Sequence, residues 1–158
     1  MMVVSHVLLG GAAWVAAARL QGAAPADAVA LGAAVIGSLL PDLDHPSSWV
    51  GRRVWPVSRP LSLLLGHRGL THSLLAVVAG LVLLHDIGTV GLPARLIEPA
   101  VIGYLSHLAA DALTPAGVPL LWPWKRRFAL PLCSTGGLRE TLVVAAGLAA
   151  NTWLCLMD

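Results

Sequence analysis

Five long apolar segments dominate the sequence and constrain what it can fold into. They cover residues 3–20, about 26–40, 70–88, about 94–114 and 138–157. A helix needs about 20 residues, within a range of about 17 to 25, to cross the hydrocarbon core of a bilayer. All of the segments except the second reach that length. The pattern therefore predicts an all-α, polytopic membrane protein, with about five transmembrane helices in one domain that covers residues 1–158.

The composition agrees with a membrane protein and argues against a soluble domain. Hydrophobic residues make up 57% of the chain, charged residues 11%, and the mean hydropathy is +0.79. A soluble domain carries about 25% charged residues. The chain has six tryptophans, and tryptophan favours the membrane–water interface. The bilayer is therefore the first predicted partner, and no nucleic-acid partner is predicted.

Most of the basic residues lie in the two long connections, 41–69 and 115–137. They are Arg52, Arg53, Arg59, Arg68, Lys125, Arg126 and Arg127, and Arg139 follows directly after the second connection. The opposite ends of the segments carry only Arg19 and Arg95. Because cytoplasmic loops are enriched in Lys and Arg, both long connections are predicted in the cytoplasm. In the inner (plasma) membrane this topology puts the N-terminus inside and the C-terminus outside.

With that topology, eight histidine and aspartate residues are predicted to lie at the same depth, near the cytoplasmic surface of the membrane. They are His6, Asp42, Asp44, His45, His67, His72, His107 and Asp111. Ionisable groups near a membrane span are costly and usually mark a functional site. The stretch GHRGLTHS, 66–73, predicts a helix start, with Thr71 or Ser73 as the cap and His72 in the first turn. His85 and Asp86 lie roughly 20 Å further along that helix, so they are not predicted as ligands.

The residue types in this set favour a metal site. His107 and Asp111 are spaced i, i+4, which puts both on one helix face, as in the paired ligands of zinc proteases. Imidazole and carboxylate together suit zinc, manganese or iron better than calcium or magnesium. Each motif alone has an ordinary alternative, such as a helix cap or an interfacial histidine. Together they predict one or two divalent ions, most simply zinc.

Eight candidates exceed the four ligands of one tetrahedral ion. The ligands are predicted to come mainly from Asp42, His67, His72, His107 and Asp111, with Asp44, His6 and His45 either ligating or supporting. A pair of ions about 3.5–4 Å apart is the arrangement of many phosphoesterases.

Four stretches of the chain resemble the YdjM family of bacterial and archaeal inner-membrane, metal-dependent hydrolases. They are SH at 5–6, LPDLDH at 40–45, HRGLTHS at 67–73 and GYLSHLAADALTPAGVPLLWP at 103–123. The resemblance implies a helical membrane protein with a metal-dependent hydrolase site on these His and Asp residues. A looser similarity links the pattern to the zinc-dependent phospholipase C superfamily. Those enzymes supply further His and Glu ligands after the HxxxD element, whereas no histidine follows Asp111 here.

The hypothesis that follows is a metal-activated water that attacks a phosphoester at the cytoplasmic interface. Asp44 is predicted to accept the proton, and Arg68 to bind a phosphate oxygen. Arg52, Arg53 and the KRR at 125–127 could attract an anionic head group, although membrane topology alone also explains the KRR. The predicted substrate is a phosphoester or a phospholipid head group.

Non-catalytic functions stay open at this stage. The cluster could be a structural metal site or a metal-handling station, and the connection 115–137 could bind a regulatory partner. A transporter should hold its ligands near the bilayer midplane, whereas these residues lie at one edge. The substrate, the metal number and the oligomeric state are left open by the sequence.

Overall fold

The computed structural model describes residues 1–24, 27–65, 69–86, 93–124 and 126–157. The α-helices are α1 Val3–Leu20, α2 Ala28–Leu39, α3 Trp49–Arg53, α4 Trp55–Leu65, α5 Leu74–Asp86, α6 Ala94–Ala112 and α7 Leu138–Leu156. Two short 3₁₀-helices cover Leu40–Asp44 and Leu70–His72. The all-α prediction is confirmed, since the described residues contain no strand beyond one isolated bridge between Val118 and Phe128.

Helices α1, α2 and α6 pack around a core of small residues. Ala18, Ala30 and Ala34 are buried against Trp14. Glycine allows α2 and α6 to approach closely, because a Cβ at Gly103 would lie 1.9 Å from the carbonyl oxygen of Ala34. Small residues at helix contacts let backbones come together, as in membrane helix pairs. This close contact holds the C-terminal end of α2 against the part of α6 that carries the polar cluster.

The segment boundaries differ from the predicted ones at two functional motifs. Helix α2 ends at Leu39, and Pro41 lies near the start of the 3₁₀-helix that carries Asp42 and Asp44. Ser73 Oγ accepts a hydrogen bond from the Ala76 amide, as expected of a capping residue. Helix α5 therefore begins at Leu74, and the prediction that His72 lies in its first turn is wrong. His72 ends the preceding 3₁₀-helix.

The connection 41–69, expected only as a long interfacial segment, contains the helices α3 and α4. Ser48 caps α3 by accepting from the Gly51 amide, and the guanidinium of Arg53 stacks 3.5 Å above the ring of Trp49. Helix α4 begins at Trp55, and Leu63 and Leu64 near its other end are exposed. Alternation of Trp, Arg and Leu on short helices suits the membrane–water interface.

Among the described residues, α1 has both the length and the apolar composition to cross a membrane. Helix α2 has 12 residues and α5 has 13, which is fewer than the roughly 20 that a span needs. Helix α6 is long enough, but Glu98, His107 and Asp111 lower its hydropathy. The prediction of five transmembrane helices therefore stays a prediction.

Candidate metal centre

Three predicted ligands meet where α1 crosses α6. His107 Nε2 lies 3.7 Å from Asp111 Oδ2, as their i, i+4 spacing requires. His6 from α1 faces the same carboxylate, with its Nε2 3.4 Å from Asp111 Oδ1. The imidazole rings of His6 and His107 are stacked, with centroids 3.7 Å apart. All three side chains are buried, so the N-terminal histidine belongs to this cluster.

A second group of possible ligands shares His107 with the first. It consists of Asp42, His72 and His107, whose ligand atoms all lie within 4.8 Å of one another. His72 Nε2 is 4.0 Å from Asp42 Oδ1 and 3.8 Å from Asp111 Oδ2. The two groups therefore adjoin. Asp42 is close enough to His107 for both to bind one ion or two neighbouring ions.

A backbone hydrogen bond orients His107 toward the cluster. Its Nδ1 lies 2.7 Å from the carbonyl oxygen of Ser38 at the end of α2. A carbonyl can only accept, so Nδ1 carries the proton and Nε2 presents a lone pair. Nε2 is buried and makes no hydrogen bond to any described residue. This is the tautomer and orientation that metal-ligating histidines adopt through their outer hydrogen bonds.

The hydroxyl of Thr71 orients His72 in a similar way. It donates to Asp44 Oδ2 and lies 3.1 Å from His72 Nδ1. Because its proton goes to Asp44, the hydroxyl oxygen is left to accept from His72 Nδ1–H. The Nε2 of His72 then faces the cluster as a lone pair. The Tyr104 hydroxyl donates to the Thr71 carbonyl and so holds the 3₁₀-helix Leu70–His72 against α6.

Sequence reasoning missed two residues of this region. The sequence predicts Thr71 only as a possible helix cap, although the repeated polar positions of HRGLTHS are a signal for a further role. Glu140, at the start of α7, is buried and accepts from Ser5 Oγ, the Met2 amide and the Gly136 amide. It thereby ties α7 to the end of α1 that carries His6. An acid at the start of an apolar segment was the available signal.

The amino terminus completes the polar interior, because the Met1 ammonium donates to Asp111 Oδ1. Asp111 thus has a cationic partner from the residues just before α1 as well as the imidazoles around it.

Two predicted ligands do not join either group. His45 is half-buried at the end of the 3₁₀-helix, with its Nδ1 2.9 Å from Ser47 Oγ. Asp44 is fully buried, and its carboxylate bonds Thr71 rather than standing among the grouped ligands. His67 and Arg68 lie outside the described residues, as does Lys125 of the KRR. The side chains of His85 and Asp86 also lie outside them.

The distances in the cluster are compatible with a bound metal. The His72 and His107 distances to the carboxylates run from 3.7 to 4.0 Å, which is longer than a good N–H···O bond of about 2.7–3.2 Å, whereas His6 Nε2 lies 3.4 Å from Asp111 Oδ1, at the limit of a direct hydrogen bond. Bonds of about 2.0–2.1 Å to a tetrahedral zinc put ligand atoms about 3.4 Å apart. Nitrogen and oxygen donors suit zinc, manganese or iron. The residues present therefore fit a divalent metal.

Comparison with known proteins places the chain among inner membrane proteins. A family model described as YdjM inner membrane protein matches residues 1–157. The inner membrane protein YdjM of Escherichia coli (strain K12) is 45% identical over 125 residues, 77% of this chain and 64% of that protein. The Shigella flexneri protein of the same name matches equally. The chain thus covers somewhat less than two thirds of the length of these relatives.

A further relative is similar over almost all of its length. The uncharacterized protein YvsG of Bacillus subtilis (strain 168) is 36% identical over 155 residues, 97% of this chain and 93% of that protein. No solved structure matches the chain.

Proposed function

The chain belongs to the family of YdjM inner membrane proteins, and on this premise we propose that it is a multi-pass, metal-dependent hydrolase. Its substrate is a phosphoester or phospholipid head group at the cytoplasmic interface. The single observation that carries the proposal is a cluster of four buried ligands and the partly buried Asp42, made of His6, His72, His107, Asp42 and Asp111. These residues come from four separate elements of the fold.

The distribution of polar and apolar side chains supports a multi-pass protein. Leu63, Ile36 and Trp153 are 87%, 62% and 66% exposed. Six ionisable side chains are buried among the described residues, namely His6, Asp44, His72, His107, Asp111 and Glu140. Water-soluble domains show the reverse tendency, with charged groups outside. Exposed apolar surface with polar groups turned inward is expected where lipid is the solvent.

The ligands would divide between the two adjoining groups. His6, His107 and Asp111 form one, Asp42 and His72 join His107 in the other, and zinc suits both, with manganese or iron as alternatives. When bound, such an ion lowers the pKa of water toward neutrality and so supplies a hydroxide nucleophile at physiological pH. One or two ions are compatible with this arrangement.

The protein's own groups hold the histidines in ligating orientation. Ser38 O fixes the ring of His107, and Asp44 acts on His72 through the Thr71 hydroxyl. Such outer hydrogen bonds set the tautomer and the basicity of a ligand. Asp44 is therefore proposed as a positioning residue, in place of the proton acceptor expected from sequence. Arg68 remains the proposed partner of a phosphate oxygen.

The first test measures metal in detergent-purified protein by inductively coupled plasma mass spectrometry. Wild type should carry at least about one zinc, manganese or iron per chain. His107→Ala and His72→Ala should lose it, whereas the matched controls His45→Ala and His85→Ala should keep it. Wild-type protein that stays free of metal after incubation with each ion, and desalting, would end the proposal.

The second test asks whether the site is catalytic. The metal-loaded protein is incubated with vesicles of defined phospholipids and with a panel of soluble phosphoesters, and released phosphate or head group is quantified. Turnover should depend on His107 and His72 and stop with a chelator. A protein that binds metal but turns over nothing in either panel would favour a structural metal site.

A further inference from the structure

A cationic cavity lies between the two short helices α3 and α4. Its volume is about 390 Å³, and it is lined by Pro46, Arg52, Trp55 and Arg59. No acidic side chain lines it among the described residues. Arg52 lies on α3 and Arg59 on α4, so two guanidinium groups from different helices approach one space. This is the charge pattern that a phosphate group requires.

Neighbouring contacts leave these two arginines available to a ligand. Arg53 is engaged elsewhere, because it stacks on Trp49 and donates to the Trp49 carbonyl. Arg59 lies 5.6 Å from the ring centroid of Trp55, a cation–π distance that orients its guanidinium. Within the described part of the chain, neither Arg52 nor Arg59 forms an ion pair with a carboxylate.

The apolar end of α4 argues for a lipid rather than a soluble anion. Leu63 and Leu64 follow Arg59 within about one and a half turns and are 87% and 81% exposed. Trp55, at the other end, is 58% exposed. A helix that carries arginine and tryptophan at one end and bare leucines at the other lies naturally at the interface, with head groups near the arginines and acyl chains near the leucines.

Helix α3 also connects this cavity to the metal ligands. Ser48, its capping residue, donates to the Asp42 carbonyl. Gly51 packs so tightly on the His45 carbonyl that a Cβ there would lie 2.0 Å from the oxygen. The wall that carries Arg52 is therefore attached directly to the 3₁₀-helix Leu40–Asp44.

We propose that Arg52 and Arg59, together with Trp55, bind the phosphate of an anionic phospholipid and hold it beside the metal-ligating segment. This deepens the proposed function by naming its substrate class and rests on it for any turnover. The binding itself needs no metal. Each basic residue near a membrane surface contributes about fivefold to the affinity for anionic lipid, so the pair should contribute about 25-fold.

The test measures lipid retention by native mass spectrometry of the full chain from nanodiscs with equal phosphatidylglycerol and phosphatidylcholine. Wild type should retain phosphatidylglycerol preferentially. The double variant Arg52→Gln/Arg59→Gln should lose about 25-fold in affinity, and each single variant about fivefold, which keeps the test valid if the double variant misfolds. Arg95→Gln, which removes one basic charge at the opposite ends of the apolar segments, is the control for the single variants and should keep the preference.

Two outcomes would overturn the proposal. One is an unchanged phosphatidylglycerol preference in both single variants and in the double variant. The other is tight binding of inorganic phosphate to lipid-free protein, with no preference for phosphatidylglycerol, which would assign the cavity to a soluble anion. Metal content is measured on the same samples. A wild type without metal but with a lipid preference refutes the hydrolase alone, so the two failures are distinguishable.

Discussion

Replacing Gly37 by alanine should damage the fold and the candidate metal centre together. Gly37 lies on the face of α2 that packs against α6, where a Cβ would lie 2.0 Å from the carbonyl oxygen of Ala100. Ordinary contact begins at 3.4 Å, so the backbones must separate by about 1.4 Å. The obstructing atom is a backbone oxygen, which cannot rotate away as a flexible side chain would.

That displacement has a direct consequence at the next residue. Ser38 O accepts from His107 Nδ1 at 2.7 Å. A shift of about 1.4 Å along this direction lengthens the contact to about 4 Å, beyond hydrogen-bond range. Overpacking costs about 1–3 kcal/mol, and a buried donor without an acceptor costs about 1–3 kcal/mol more. Alanine recovers about 1 kcal/mol of helix propensity, so the net loss is about 1–5 kcal/mol.

Gly32→Ala is the matched control, because it lies on the same helix and a Cβ there meets nothing within 4 Å. Both variants are unfolded by denaturant in detergent and followed by tryptophan fluorescence, and metal affinity is measured by competition with a chromophoric chelator. Gly37→Ala should lose both stability and metal affinity, whereas Gly32→Ala should match or slightly exceed wild type. Equal unfolding midpoints and equal metal affinities for the two variants would refute the packing argument.

Two other predictions concern the hydroxyl of Thr71 and the membrane topology. Thr71→Val removes the hydroxyl between His72 and Asp44 and should lower metal affinity about 10- to 100-fold. The control Thr71→Ser keeps the hydroxyl and should bind metal about as tightly as wild type. A Thr71→Val protein that binds as tightly as wild type would show that this hydroxyl does not orient His72. In a background with Cys133 and Cys155 replaced by serine, a thiol-reactive, membrane-impermeant reagent should label Ala24→Cys but not Thr135→Cys in intact cells. The opposite labelling would invert the predicted topology.

Much of the candidate site was accessible from the sequence, because its signals are local. The spacing of His107 and Asp111 is a property of any α-helix, and a histidine or aspartate at the edge of an apolar segment is conspicuous. Asp42 and His107, both predicted as ligands, have ligand atoms within 4.8 Å of each other, although His67, predicted to join them, lies outside the described residues. The all-α class and the family were also predictable, from composition and from motifs.

The features of the site that the sequence did not predict depend on contacts between distant parts of the chain. Nothing local distinguishes Asp44, which bonds Thr71, from Asp42, which lies among the ligands. His45 looked equivalent to both, yet it lies at the end of a 3₁₀-helix and contacts Ser47. The register of the 3₁₀-helix Leu40–Asp44 decides which side chain faces inward. A helix of five residues is too short for its register to be predicted from the spacing of apolar residues.

The sequence by itself determined that this chain is helical, apolar and equipped with metal-binding residue types at one end of its segments. Hydropathy and side-chain chemistry are properties of individual residues, so they are known without the tertiary structure. Only the tertiary structure decided which atoms face one another. The close approach of α2 to α6 at Gly37 and Gly103 brings Ser38 O to His107, and the packing of Tyr104 on Thr71 brings His72 to the same place. The orientation of each ligand depends on hydrogen-bond partners that are distant in the sequence, so only the packing of the helices determines it.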